Sequence, residues 1–207
     1  MANKRNVNVV CVSGTPGVGK TTVCLKVKEK LGTDKFEFVN VGDLIKEKQL
    51  FSEWDDEMNC SIFDENRVEE EILKIAREIE NIGKQGLLID FHSVGFLSTR
   101  FVDKVFVLSA ETNILYGRLE KRHYSVDKIQ ENVQAEIFKE SKCEAQDRFG
   151  EDIVVEMPNN TESDSGQIVD LIVRFLQEPL LDARYPDSDS SNDDWDDSNE
   201  SEFSDIS

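Results

Sequence analysis

Residues 14–21 read Gly-Thr-Pro-Gly-Val-Gly-Lys-Thr, and this octapeptide constrains the fold more than any other stretch of the chain. Before it lies Val7 to Ser13 (VNVVCVS), an apolar and β-branched run; from Thr22 onward the pattern is helical. Strand, glycine loop and helix in that order are the setting that a phosphate-binding loop requires. Gly14, Gly17 and Gly19 allow close backbone approach, so that inward N–H groups and the helix N-terminus cradle phosphate oxygens. Lys20 then reaches the β- and γ-phosphates, and the Thr21 hydroxyl can ligate Mg²⁺. Gly14, Gly17, Gly19, Lys20, Thr21 and Thr22 are therefore the expected ATP-binding residues. The alternative is a plain glycine-rich turn, and the full motif in its proper context weighs against it.

The 207 residues suffice for one α/β domain with a sizeable core and an appendage. Met1 to Asn6 is polar and the apolar run after it is short, so no secretory signal is expected, and no stretch is long enough to span a membrane. Cys11, Cys24, Cys60 and Cys143 lack metal-ligand spacing and read as reduced thiols. The formal net charge is −19, and residues 187–207 carry nine acids without one Lys or Arg. An acidic chain is a poor partner for nucleic acid. The domain is expected over residues 1–186, followed by a disordered acidic tail that buries too little to fold alone.

Taken in order, a helix is expected from Lys20 to Leu31, stopped by Gly32, and a short strand over Phe36 to Val39. Asn40-Val41-Gly42-Asp43-Leu44 follows at that strand's carboxyl end, where α/β sheets place ligands. Residues 46–63 read as an irregular excursion. Asp64 is placed to cap a helix with Val68, Ile72, Ile75, Ile79 and Ile82 on one face. GLLID (86–90) and KVFVLS (104–109) are buried parallel strands with a loop between them. A helix from Thr112 carries Arg118 and Arg122 at i and i+4. The pattern from Val126 through Ile129, Val133 and Ile137 extends toward Phe149; a strand over 153–155 and an amphipathic helix with Ile168, Ile172 and Leu176 close the domain. These elements predict a parallel sheet of about five strands with helices on both faces.

Asp90 ends a hydrophobic strand beside the phosphate loop, where a nucleotide enzyme keeps the acid that holds Mg²⁺ through water. His92, two residues on, points to the same side if the strand geometry persists. It reads either as a group orienting water or phosphate, or as a structural histidine. Arg118 and Arg122 are either a solvated face or a guanidinium clamp on transferring phosphates.

GTPGVGKTT (14–22), NVGDL (40–44), LIDFH (88–92), VFVL (105–108), LYGRLEKRHY (115–124) and NVQAEIF (132–138) resemble the corresponding blocks of the adenylate kinase isoenzyme 6 family, in order, over about residues 7–178. The resemblance implies a nucleoside monophosphate kinase fold with a short lid at about 121–131 and an acceptor site at about 40–63. It implies that Lys20, Asp90, His92 and Arg118 are catalytic, that Arg122 contacts ATP, that Asp43 lies near the monophosphate, and that Arg67 and Arg100 contact its phosphate. Lys46 stands where adenylate kinases generally carry arginine, and an ammonium cannot form the bidentate fork. The activity implied is ATP:AMP phosphoryl transfer with Mg²⁺, accompanied by ATP hydrolysis. The family's other implied output is ATP-driven assembly, with a small-subunit ribosomal protein or pre-ribosomal particle as partner. A monomer found in nucleus and cytoplasm is expected on the same ground.

Overall fold

The computed structural model describes residues 6–55 and 60–178 of the chain. The acidic stretch at 187–207 lies outside the described residues, as do the side chains of 53–62. Five strands form a parallel sheet: β1 (Asn8–Ser13), β2 (Phe36–Asn40), β5 (Gly86–Asp90), β6 (Lys104–Ser109) and β7 (Val154–Pro158), in the spatial order β2-β5-β1-β6-β7. The chain leaves β1 toward β2 on one side and later returns to β6 on the other. The crevice beside the carboxyl end of β1 is thus the switch point of the sheet, the place where such folds hold ligands.

Strand β1 is buried on both faces, and its alternation assigns residues to two cores. Val9 and Cys11 pack with α3 (Glu65–Asn81), including Val68, Ile72 and Ile79, and with Ala145 and Phe149 of α6 (Glu140–Phe149). Val10 and Val12 pack with Val23 and Val27 of α1 (Lys20–Leu31), Leu115 and Leu119 of α4 (Thr112–Lys121), and Ile168 and Ile172 of α7 (Glu162–Gln177). Period-two strands and period-3.6 helices place these side chains where the sequence pattern expects them. Cys11 and Cys24 are buried and Cys143 is exposed; burial holds the pKa of the Cys24 thiol well above its ordinary value. Among the described residues no helix is long and apolar enough to cross a membrane.

The helix ends follow local chemistry. Asp64 caps α3 by accepting from the Arg67 N–H at 3.1 Å, and Thr161 with Asp164 forms a reciprocal capping box on α7. Gly32 stops α1 with φ of 75°.

Three elements depart from the sequence expectation. The excursion at 46–63 carries regular elements: the chain enters α2 (Val41–Lys48) directly from β2, and β3 (Phe51–Asp55) pairs with β4 (Cys60–Phe63) as an antiparallel ribbon. The pattern from Val126 to Phe149 is two helices, α5 (Val126–Ile137) and α6, because Lys139 adopts a left-handed φ of 54° between them. That break turns Ala145 and Phe149 into the opposite core from Ile129, and it leaves Val126 and Ile137 exposed. Ile82, the last member of the α3 stripe, caps that helix and lies in solvent.

Ile72 is fully buried between α3 and the sheet. Ile72→Ala is expected to lower unfolding free energy by about 2–5 kcal/mol in urea titration, with the m-value unchanged; a loss under about 1 kcal/mol would mean that this face of the sheet is loosely packed.

Candidate nucleotide site

The loop between β1 and α1 owes its curvature to three left-handed glycines, Gly14, Gly17 and Gly19, at φ of 135°, 102° and 104°. Each is also pressed against a neighbour. A Cβ on Gly14 would lie 2.3 Å from the Leu108 carbonyl oxygen, one on Gly17 2.8 Å from both Leu115 and Leu119, and one on Gly19 2.5 Å from Asn159 Nδ2. Both conformation and space therefore demand glycine.

Lys20 folds back over the loop, its ammonium donating to the Gly14 and Thr15 carbonyls at 2.6 and 3.1 Å. Burial lowers its pKa to about 8, against the opposing pull of Asp90. Thr21 donates its hydroxyl to Asp90 Oδ2 at 2.6 Å. Asp90 itself is buried at the end of β5, in register with Val12 of β1 and Asn40 of β2.

His92 sits just past β5 with its main-chain carbonyl accepting from the Ser13 hydroxyl at 2.9 Å. Its ring lies 4.3 Å from that of Phe91, centroid to centroid, and is exposed where it borders the cleft. Partial desolvation, followed by the Lys20 ammonium, holds its pKa below the ordinary histidine value, while Glu144 and Asp90 oppose the shift. The imidazole is accordingly neutral at physiological pH. Glu144 of α6 also fastens the loop beyond, accepting from Ser93 Oγ at 2.6 Å and from the Gly95 N–H at 3.1 Å.

A cleft of about 220 Å³ opens over these groups, lined by Pro16, Gly17, Gly19, Lys20, Thr21 and Thr22 of the loop and α1, and by Asp90, Phe91 and His92. Asn40, Gly42 and Arg122 complete the lining. The structure thus brings Gly17, Gly19, Lys20, Thr21, Thr22, Asp90, His92 and Arg122 to one place, with Gly14 buried behind them.

The arginine pair divides. Arg122, at the C-cap of α4, faces the cleft. Arg118 turns to the back of the phosphate loop, where its guanidinium donates to the carbonyls of Val18 at 3.1 Å and Asn159 at 2.9 Å. The Asn159 side chain donates to the same Val18 carbonyl at 2.8 Å. Arg118 is thus a brace for the loop and does not line the cleft. Asp43 and Lys46 lie exposed on α2, Arg67 on the first turn of α3 and Arg100 on the loop before β6, all off the cleft lining.

Asn40, Gly42, Asn159, Ser13 and Glu144 are the participants that motif reading passes over. Asn40, Gly42 and Ser13 had a signal, their place at or just past the carboxyl end of a strand expected from the sequence; Asn159 and Glu144 had none.

A parallel five-stranded sheet with a phosphate loop after its central strand, an acid ending the neighbouring strand and an arginine-bearing helix end over the cleft define a P-loop kinase of the nucleoside monophosphate kinase fold. The AAA domain family matches residues 10–139. Curated relatives named adenylate kinase isoenzyme 6 homolog match most of the chain. One from Plasmodium falciparum is 36% identical over 76% of this chain and 89% of its own. One from Caenorhabditis elegans is 35% identical over 86% and 96%, and FAP7 from Saccharomyces cerevisiae 32% identical over 90% and 89%. The chain belongs to the adenylate kinase isoenzyme 6 family. A shikimate kinase from Bacteroides thetaiotaomicron has a similar chain path (13% identity, TM-score 0.47, covering 83% of this chain and 99% of that one), a likeness too loose to add to the assignment.

Lys20 offers a test that needs no turnover. With its pKa near 8 in the free protein, bound phosphates must restore the missing proton, so ATP binding takes up protons and weakens as pH rises above about 8. Calorimetry in buffers of different ionisation enthalpy is expected to show uptake of about half a proton at a pH of about 8; binding without uptake would place Lys20 away from the phosphates.

Proposed function

We propose that this kinase transfers the γ-phosphoryl group of ATP to AMP, hydrolyses ATP more slowly in the absence of an acceptor, and serves maturation of the small ribosomal subunit. One observation carries the reading: a single cleft runs from Lys20 and Thr21, past Asp90 and His92, to Gly42 at the start of α2. A donor phosphate chain in the loop and an acceptor phosphate at the N-terminus of α2 would meet within that cleft, since helix N-termini favour anions.

The chemistry asks the protein mainly for positioning and charge. Lys20 leaves the loop carbonyls for the β- and γ-phosphates, and Arg122 reaches the transferring group from the end of α4. Arg118 and Asn159 hold the loop's shape by tethering Val18. The acceptor brings its own nucleophile: a phosphate with a second pKa of about 6 is anionic at neutral pH, so no general base is required. The hydroxyl of Thr21 and the carboxylate of Asp90, hard oxygen donors 2.6 Å apart, suit Mg²⁺, with Asp90 acting through water. Bound Mg²⁺ supplies charge neutralisation along the phosphates.

On the acceptor side, the family likeness supports Asp43, Lys46, Arg67 and Arg100 as the residues near the monophosphate. Lys46 gives the acceptor phosphate a point charge in place of a fork, which supports looser selection of the monophosphate than arginine would give. Hydrolysis is the second output, favoured by His92, whose neutral ring borders the cleft and can orient water. A small-subunit ribosomal protein as partner, in nucleus and cytoplasm, is supported by the family likeness and by the net charge of −19, which suits a basic protein.

Product analysis with ATP alone and with ATP plus each monophosphate tests the reading, ADP formation dependent on AMP being the expected result. In the same assay Lys20→Ala should remove at least ~10²-fold of both activities while the protein stays folded. His92→Ala should reduce hydrolysis about 10²-fold and AMP phosphorylation far less, because the monophosphate needs no oriented water. Near wild-type turnover in folded Lys20→Ala would remove the phosphate-loop premise, and equal losses in His92→Ala would make that histidine structural.

A further inference from the structure

We propose that Asn40 is a positioning residue that ties the metal-side acid to the acceptor-side helix, so that the two halves of the cleft set together; the inference rests on the phosphotransferase reading above. Asn40 is the last residue of β2 and the N-cap of α2 at once. Its partner in the parallel ladder is Asp90, itself in register with Val12 at the end of β1. In-register neighbours of a parallel sheet project to the same side. That placement lets the Asn40 amide reach the carboxylate oxygen that Thr21 also contacts.

Both ends of the amide are in use. Nδ2 donates to Asp90 Oδ2 at 2.7 Å, and Oδ1 accepts from the Asp43 N–H at 3.0 Å, closing the first turn of α2. The same carboxylate oxygen takes the Thr21 hydroxyl at 2.6 Å. One planar group therefore stands between the acid expected to hold water on the metal and the helix whose first residues border the cleft at Gly42.

The amide is rigid, so its nitrogen and oxygen cannot move independently. Any turn of the Asp90 carboxylate toward a metal-bound water either carries Nδ2 with it, which swings Oδ1 against the Asp43 N–H, or breaks the bond. Conversely, an acceptor phosphate that tightens the first turn of α2 holds Oδ1, and through it fixes the carboxylate. Thr21 transmits the donor side to the same oxygen. The linkage is short and has no other side chain in it: Thr21, Asp90, Asn40, Asp43 N–H. Binding on the two sides is then coupled, and by linkage the coupling is reciprocal.

A plain helix cap predicts something different, and substitution separates the two. Asn40→Ser keeps a good capping oxygen and removes the amide nitrogen; Asn40→Ala removes both. The experiment measures AMP affinity by calorimetry with and without Mg²⁺ and a non-hydrolysable ATP analogue, together with thermal midpoints, on the full-length protein. Wild type is expected to bind AMP at least about fivefold tighter when the donor side is filled. Asn40→Ser should melt within a few degrees of wild type and, whatever its affinity for AMP alone, lose the donor effect, its AMP affinities with and without the analogue agreeing within about twofold. Asn40→Ala should lose the donor effect and also melt lower.

Coupling retained in Asn40→Ser would overturn the inference and reduce Asn40 to a cap, as would a wild type that binds AMP equally with and without the analogue. A wild type that binds no AMP at all, and forms no AMP-dependent ADP, would instead remove the phosphotransferase reading on which the linkage rests.

Discussion

The curvature of the loop between β1 and α1 is the constraint on which the site depends. Gly14, Gly17 and Gly19 are left-handed, and each faces a close neighbour: the β6 backbone at Leu108, the Leu115 and Leu119 side chains of α4, and the Asn159 side chain after β7. Side chains would fail there on conformation and on space together. The loop is held from behind as firmly as it is shaped from within, because the Val18 carbonyl accepts from both Arg118 and Asn159. Three separate parts of the chain, β6, α4 and the residue after β7, therefore converge to set one loop, and the core around α1, α4 and α7 backs it.

The electrostatics of the cleft run against the rest of the chain. A protein of net charge −19 must attract polyanionic nucleotides, and it does so with few cations: Lys20 inside, Arg122 at the edge. Lys20 is kept poised by burial and by the carbonyls it grips in place of phosphate oxygens. Phosphate arrival exchanges weak acceptors for anionic ones, and the interaction gains from the same desolvation that makes the free ammonium costly. Local geometry, and not net charge, decides what enters.

Much of this was legible in the residues. The glycine loop, its strand and helix, Asp90 at the end of GLLID and His92 beyond it are fixed by local backbone rules, and the structure places them around one cleft. What was illegible depended on long-range contacts. Arg118 and Arg122 lie on one helical face by spacing, yet α4 ends at Lys121, and Arg118 is drawn to the Val18 and Asn159 carbonyls by a strand far along the chain. Nothing in the sequence marks Lys139 as left-handed, since neither glycine nor proline stands there; packing of Phe149 into the opposite core imposes it. The β3–β4 ribbon carries too few apolar alternations to separate from a loop. Asn40 was visible as a strand-end residue, but its double hydrogen bond follows only from the register of β2 with β5.

The proposed function puts donor and acceptor phosphates in one cleft between the loop and α2. The most direct measurement is calorimetric binding of a bisubstrate compound, two adenosines joined by five phosphates, with competition against ATP and AMP separately. One equivalent per chain should bind, at least about 10²-fold tighter than either nucleotide alone and excluding both, as expected when two half-sites are linked at the right span. A compound that binds no better than ATP, and leaves AMP binding untouched, would show that the cleft holds a donor site only.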